Sequence, residues 1–208
     1  RLNMRFILAS ASPRRREILE NISLDFEIIA DESEEIMIEG EKPYDTVKRL
    51  AMQKAKNIAA GIESGENTIV IGADTVVSID GKILGKPNDE IEAKDMLLTL
   101  SGRINTVYTG LAVIETQSGK EVSDFVSTGV KFRNLSEKEI ENYIRSGEPM
   151  DKAGAYGIQK IGGLFVESIN GDYFNVVGLP ISALADTLED EFDIKLLTGM
   201  STAQKSHQ

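Results

Sequence analysis

Three consecutive arginines, Arg14-Arg15-Arg16, follow Ser12-Pro13 shortly after an apolar triplet, Phe6-Ile7-Leu8. The triplet reads as a short buried strand, and Ser12 and Pro13 read as the N-cap and first position of a helix. Arginine in a first helical turn meets the positive end of the helix dipole, at a cost of about 0.3 kcal/mol each unless an anion sits beside it. Free N–H groups and guanidinium charge at one helix start together make a place for an anion. The bland alternative is a solvated basic triplet, the usual fate of a charge run.

Four further elements could act on the same anion. Lys54 lies on the apolar stripe of a helix, seven residues after Val47, either snorkelling at the stripe's edge or aimed into a cleft. Asp74 ends the apolar run Thr68-Ile-Val-Ile-Gly-Ala73, where a strand would fix a catalytic carboxylate, though an Asx turn explains it as well. Lys86 sits in Gly85-Lys86-Pro87, which also reads as a plain turn. The segment Asp151-Lys-Ala-Gly-Ala-Tyr-Gly-Ile-Gln159 is rich in glycine, which alone would only punctuate the backbone.

Composition narrows the chemistry. There is no cysteine and one histidine, His207, in a polar tail. Thiolate nucleophiles, disulfides, a Ser-His-Asp triad and a histidine-built zinc site therefore have no residues to use within one body of this chain. Acid–base work falls to carboxylates, lysines or tyrosines. A net charge of −11 argues against a nucleic-acid polymer as partner, while leaving room for a nucleotide-sized anion in a local basic pocket. No apolar run approaches the roughly 18 residues of a membrane span, and no secretory signal is read, so a cytoplasmic protein away from membranes is expected.

The elements that must position these residues follow from periodicity. Leu24, Phe26 and Ile28 alternate with acidic residues as a half-buried strand. Asp31 to Glu41, with six acidic residues in eleven, is a loop or exposed strand. Pro43 opens a helix to about Gly61, with Val47, Leu50, Ala51 and Ile58 on its apolar face. Thr75 to Ile79 continue the central strand, Asp80-Gly81 turns a hairpin, and Lys82 to Leu84 return. A helix from about Asn88 to Ser101 precedes Gly102, and two long strands, Ile104 to Glu115 and Glu121 to Arg133, flank a turn at Ser118-Gly119. Ser136 and Glu139 form a capping box for a helix ending near Gly147. Asp151 to Gly163 is irregular, Leu164 to Ile169 a strand, Asn170-Gly171 a second hairpin signal, and Pro180 the start of a final helix with Ile181, Leu184, Ala185 and Leu188 on one face. The pattern is that of an α/β or α+β protein, with α/β taken as the expectation: a mixed central sheet flanked by helices, with two lobes around a cleft. One domain is expected over 4–196, with 1–3 a remnant ahead of Met4 and 197–208 a disordered tail.

In this order the motifs resemble those of the Maf-type nucleoside triphosphate pyrophosphatases, over Met4 to Ile194. The resemblance rests on Leu8-Ala-Ser-Ala-Ser-Pro-Arg-Arg-Arg-Glu-Ile-Leu19, Leu50-Ala-Met-Gln-Lys-Ala55, Gly72-Ala-Asp-Thr75, Gly85-Lys-Pro87, Leu100-Ser-Gly102, Asp151 to Gln159 and Gly171-Asp-Tyr-Phe-Asn-Val-Val-Gly-Leu-Pro180. It implies the Maf/inosine triphosphatase-like fold around a nucleotide cleft. It implies hydrolysis of a nucleoside triphosphate between the α and β phosphates, housecleaning of nucleotide pools, a link to arrest of cell division, a divalent cation (usually Mg2+) and a homodimer. The family's proton acceptor falls on Asp74 and its specificity positions on Arg14, Thr75 and Gln159. Thr75 together with Gln159 marks the dTTP/UTP subfamily. Ser10, Arg15, Glu35, Lys54 and Lys86 match other residues of the family's substrate site, whereas Arg16 matches nothing specific. The residues holding the metal are left open. Two alternatives stay open beside this one: a nucleotide-binding regulator of division with negligible turnover, and a pyrophosphatase whose true substrate is a modified nucleotide.

Overall fold

The computed structural model describes residues 4–63 and 66–199. Its centre is a seven-stranded mixed sheet in which β1 (Arg5–Leu8), β2 (Glu27–Ile28), β3 (Thr68–Ile79), β5 (Ile104–Glu115), β6 (Lys120–Phe132) and β7 (Val166–Asn170) take the order β2-β1-β3-β5-β6-β7. The remaining strand, β4 (Lys82–Leu84), pairs with β3. β1 is parallel to both β2 and β3, while every other pairing is antiparallel. The near-continuous apolar run of β3 is buried on both faces, as a central strand with helices on either side must be.

On one face lies α2 (Pro43–Ala59), whose Ala51 and Ala55 pack with Ile7, Val70, Ala112 and Ile114. On the other, α1 (Pro13–Asn21) and α6 (Ile181–Phe192) enclose Leu8, Leu19, Ile71, Leu111, Leu184 and Leu188. A separate cluster surrounds the far end of the long strands, where α3 (Glu90–Leu100) and α4 (Glu137–Arg145) bury Ile79, Leu97, Val107, Phe132, Ile140 and Tyr143. β3 runs through both clusters, and the cleft opens between them: the two lobes expected from the sequence.

α2 lies unusually close to the sheet. A Cβ at Gly72 would come within 2.2 Å of the Ala51 carbonyl oxygen, and one at Gly110 within 2.1 Å of the Val47 carbonyl oxygen. Gly72 and Gly110 face α2 from neighbouring strands, below carbonyls one helical turn apart. Only residues without a Cβ permit that approach.

Several expected boundaries move, each for a local reason. Of the strand expected over Leu24 to Ile28 only Glu27–Ile28 pair with β1, while Leu24 and Phe26 pack against the core from a loop. The loop reading of Asp31 to Glu41 holds, since no strand or helix forms there. The third helix starts at Glu90 rather than Asn88, because the Asp89 carboxylate caps it by accepting from the Glu92 N–H. Asp80-Gly81 turns with positive φ at both residues (53° and 73°), the requirement of a type I′ hairpin. Asn170-Gly171 turns no hairpin: Asp172 accepts from the Phe174 N–H and starts α5 (Tyr173–Val177) instead. The capping box of Ser136 and Glu139 is present in full. Helical backbone continues past residue 196 as α7 (Leu196–Gly199), and the rest of the expected tail, with residues 1–3, lies outside the described residues. Among the described residues no helix is long and apolar enough to cross a membrane.

Candidate functional site

β3 has one edge served by two different neighbours. β1 pairs with it only from Thr68 to Ile71, and β4 only from Val77 to Ile79. Between them, Gly72 to Val76 pair with β5 on one side and, among the described residues, with no strand on the other. Asp74 and Thr75 sit in this gap, Asp74 directly after the apolar run and Thr75 where the strand is expected to continue. The strand is continuous through it, and the neighbour is what stops. A cleft of about 940 Å³ opens there, within the size range of small-ligand sites.

Alternation along β3 sends the two residues to opposite faces. Asp74 points toward α2, where Lys54 Nζ donates to its Oδ1 at 2.8 Å and also meets Glu35 Oε1 at 2.7 Å. Lys54 is therefore the cleft-directed lysine and not a snorkelling one. Asp74 is only 6 % exposed. Burial raises its pKa above the ordinary carboxylate range, Lys54 and Arg15 pull it back down, and Glu35 adds a small upward push. The acidic loop contributes Glu35 because Gln53 of α2 donates to the Glu34 carbonyl and Arg49 to that of Ile36, laying the loop along the helix.

Thr75 points the other way, to α1. Arg15 Nη2 donates to Thr75 Oγ1 at 3.0 Å, Nη1 to Ser10 Oγ at 3.1 Å and Nε to the Gly178 carbonyl at 2.7 Å. Thr75 and Thr109 share a hydroxyl contact of 2.8 Å, and Thr109 Oγ1 donates onward to the Asn175 carbonyl at 3.1 Å. A hydroxyl has one proton, so Thr109 must accept from Thr75. Thr75 thus spends its own proton inward and offers the cleft a lone pair only. Burial lowers the pKa of Arg15, Asp74 raises it, Arg14 lowers it and Glu35 raises it; a guanidinium stays charged throughout. Ser12 occupies the N-cap of α1, but its side chain makes no capping bond, and its N–H donates to Ser10 Oγ at 3.2 Å instead.

Arg14 extends from the first turn of α1 toward Asp151, Nη1 to Oδ2 at 3.7 Å. Lys86 and Gln159 line the cleft from the far lobe. Among the described residues Lys86 makes no ion pair, and the exposed Gln159 side chain makes no hydrogen bond. The structure thus gathers Arg14, Arg15, Glu35, Lys54, Asp74, Thr75, Lys86 and Gln159 around one opening, with Ser10 directly behind Arg15. Arg16 is turned to its own helix, donating to Glu20.

Three participants carry no role in the sequence reading. Lys152 lines the cleft while its Nζ donates to the Glu148 carbonyl and to Asp151 Oδ1, both at 2.8 Å. Gly178 supplies a carbonyl to Arg15, and Thr109 completes the hydroxyl chain. Thr109 carries a faint signal in sequence, a hydroxyl inside an apolar strand. A backbone carbonyl carries none.

The chain has near relatives among known proteins. The sequence pattern of the Maf-like proteins matches residues 5–191. A protein of Clostridioides difficile named dTTP/UTP pyrophosphatase is 54 % identical over 197 residues, which span 95 % of this chain and 100 % of that protein. A protein of the same name from Thermoanaerobacter sp. is 53 % identical over 93 % of this chain and 100 % of its own length. Among solved structures, a dITP/XTP pyrophosphatase of Mycobacterium abscessus aligns with 64 % of this chain and 76 % of its own at a TM-score of 0.39 and 15 % identity, too distant to bear on the site. On its matched length and its near relatives, the chain belongs to the Maf-like protein family.

Proposed function

We propose that this protein hydrolyses dTTP and UTP to the nucleoside monophosphate and pyrophosphate. The observation that carries the reading is Asp74, a buried carboxylate bonded to Lys54 inside a cleft lined with cations. Arg14, Lys54, Lys86 and Lys152 surround a space that a triphosphate, with its several negative charges, would fill. The two relatives named for this activity match nearly the whole chain, which supports the substrate pair.

In this reading a water attacks the α phosphorus. The new bond is from water oxygen to phosphorus, the bond from phosphorus to the α–β bridging oxygen breaks, and its electron pair leaves with pyrophosphate. Asp74 takes the water's proton. Its Oδ1 is held by Lys54, while its Oδ2 has no hydrogen bond to the described residues and is the atom available as base. With no histidine among the described residues, a carboxylate raised by burial is the natural acceptor.

A magnesium ion belongs to the same proposal. Among the described residues no group of three or more Asp, Glu or His is gathered to hold a metal. Glu35 and Asp74, joined through Lys54, offer two carboxylates, which fits an ion that takes one or two protein oxygens and completes its shell with phosphates and water. Bound there, it would supply positive charge to the phosphates. A cytoplasmic homodimer goes with the reading on the family resemblance and on the location of nucleotide pools.

The deciding experiment is pyrophosphate release with magnesium across the four ribonucleoside triphosphates, dTTP and 7-methyl-GTP. Turnover led by dTTP and UTP is the expected result. Turnover confined to purine or methylated substrates would overturn the substrate assignment, and binding with no turnover at all would overturn the enzyme. Gln159→Glu is expected to raise the KM for UTP about tenfold, the worth of one good hydrogen bond, because a carboxylate cannot donate to a uracil carbonyl. Inhibition by inorganic tripolyphosphate should weaken by no more than about twofold, since no phosphate contact is lost and the added charge is solvent-screened at this exposed position. An equal loss for every base would refute a base-reading role.

A further inference from the structure

Gln159 sits in a loop outside any strand or helix, and its side chain makes no hydrogen bond to the described residues. Its position nevertheless has a cause. The Glu148 carboxylate reaches across the loop and accepts three hydrogen bonds. Tyr143 Oη donates to Oε1 at 3.0 Å, the Gly162 N–H to Oε1 at 3.1 Å and the Ile161 N–H to Oε2 at 3.1 Å. Tyr143 Oη in turn accepts from the Gly157 N–H at 3.2 Å. The loop is therefore pinned two residues before Gln159 by the tyrosine, and two and three residues after it by the carboxylate.

The pins are rigid at their base. Tyr143 is buried and meets Phe165 edge to face, with ring centroids 4.7 Å apart. Burial raises its pKa, so the phenol keeps the proton it donates to Glu148. The two loop ends touch: a Cβ at Gly162 would lie 2.2 Å from the Gly157 carbonyl oxygen and 2.7 Å from Tyr143 Oη. Neither Glu148 nor Tyr143 lines the cleft, so neither meets the nucleotide there.

We infer that Glu148, with Tyr143, is a positioning residue for base selection, fixing the loop so that the Gln159 amide stands where a uracil or thymine edge arrives. This rests on the reading of Gln159 as the base-facing residue. A glutamine at 148 keeps the shape but replaces one acceptor oxygen with a donor, which cannot accept from the Ile161 or Gly162 N–H. A tyrosine-to-phenylalanine change at 143 keeps the ring on Phe165 and removes only the hydroxyl.

The test measures binding, so it does not depend on turnover. Affinities of the α,β-methylene analogues of UTP and CTP are determined by calorimetry for the wild-type protein, Glu148→Gln, Tyr143→Phe, Gln159→Ala and the Glu148→Gln/Gln159→Ala pair. Glu148→Gln is expected to cut the UTP-over-CTP preference about tenfold, one hydrogen bond's worth, with tripolyphosphate affinity within about twofold. Tyr143→Phe should move the same ratio in the same direction, and supplies the answer if Glu148→Gln fails to fold. On the Gln159→Ala background Glu148→Gln should change the ratio no further. An unchanged ratio in both single variants, or an equal loss for both analogues and tripolyphosphate, overturns the inference while leaving Gln159 in its role. If Gln159→Ala itself leaves the ratio untouched, the base-facing reading fails and the positioning role falls with it.

Discussion

Replacing Asp74 by asparagine is expected to lower kcat for pyrophosphate release about 10²- to 10⁴-fold, the usual worth of a positioned general base. The substitution keeps the shape of the side chain, and its amide oxygen can still accept from Lys54. What it removes is the proposed proton acceptor. It also removes a negative charge from a cleft that would hold a triphosphate, so affinity for a non-hydrolysable analogue, measured without magnesium, should be unchanged or tighter. Single-turnover measurements at saturating UTP, with calorimetry on the α,β-methylene analogue, separate the two effects. Undiminished kcat would refute the base assignment. Weakened binding with intact kcat would make Asp74 a holder of substrate or metal and no more.

The largest effect on stability is expected at Gly110, far less conspicuous in sequence. Alanine there would place a methyl group 2.1 Å from the Val47 carbonyl oxygen and 2.3 Å from its carbon, both backbone atoms of α2. Neither can rotate away, so the helix must lift from the sheet. Overpacking of this kind costs about 3 kcal/mol, offset by somewhat under 1 kcal/mol from the stiffer unfolded chain. A net loss of about 2 kcal/mol corresponds to a Tm lower by roughly 4–8 °C in a protein of this size. Gly61→Ala is the control: its Cβ would meet one atom at 3.5 Å, an ordinary contact, and Tm should stay within about 1 °C by the same scale. Because α2 carries Lys54, the Gly110 variant should lose activity even below its melting range. A Gly110→Ala protein as stable and active as its parent would mean that helix and sheet are not in the contact described.

Much of this site is legible in the chain because its signals are local. Ser12-Pro13 gives the start of α1, Pro43 the start of α2, Asp80-Gly81 the β3–β4 turn, and Ser136 with Glu139 the start of α4; each depends on residues within four positions. The sequence also offers Lys54 and Asp74 as candidates, but cannot bring them together. Their 2.8 Å contact depends on Gly72 and Gly110 letting α2 settle onto the sheet, a matter of two backbones meeting at long range. The same limit explains the misread Asn170-Gly171. Locally it is a good hairpin signal, but Asp172 finds the Phe174 N–H and turns the chain into a helix. The half-buried strand at Leu24 to Ile28 fails for a related reason: its alternation is real, yet β1 is only four residues long and offers it two pairing positions. Glu148 escapes notice because nothing in sequence tells a carboxylate that binds backbone N–H groups from one in solvent.

The gap along β3 bears on how such a molecule diverges. Adjacent residues in it serve opposite faces, Asp74 with α2 and Thr75 with α1. A substitution at 75 acts directly on Arg15 and Thr109, while the lysine–aspartate pair on the opposite face is reached only through the charge of Arg15. On the roles proposed for Asp74 and Thr75, reactivity and taste would lie on separate sides of one ribbon, so that a new diet would not require the chemistry to be rebuilt.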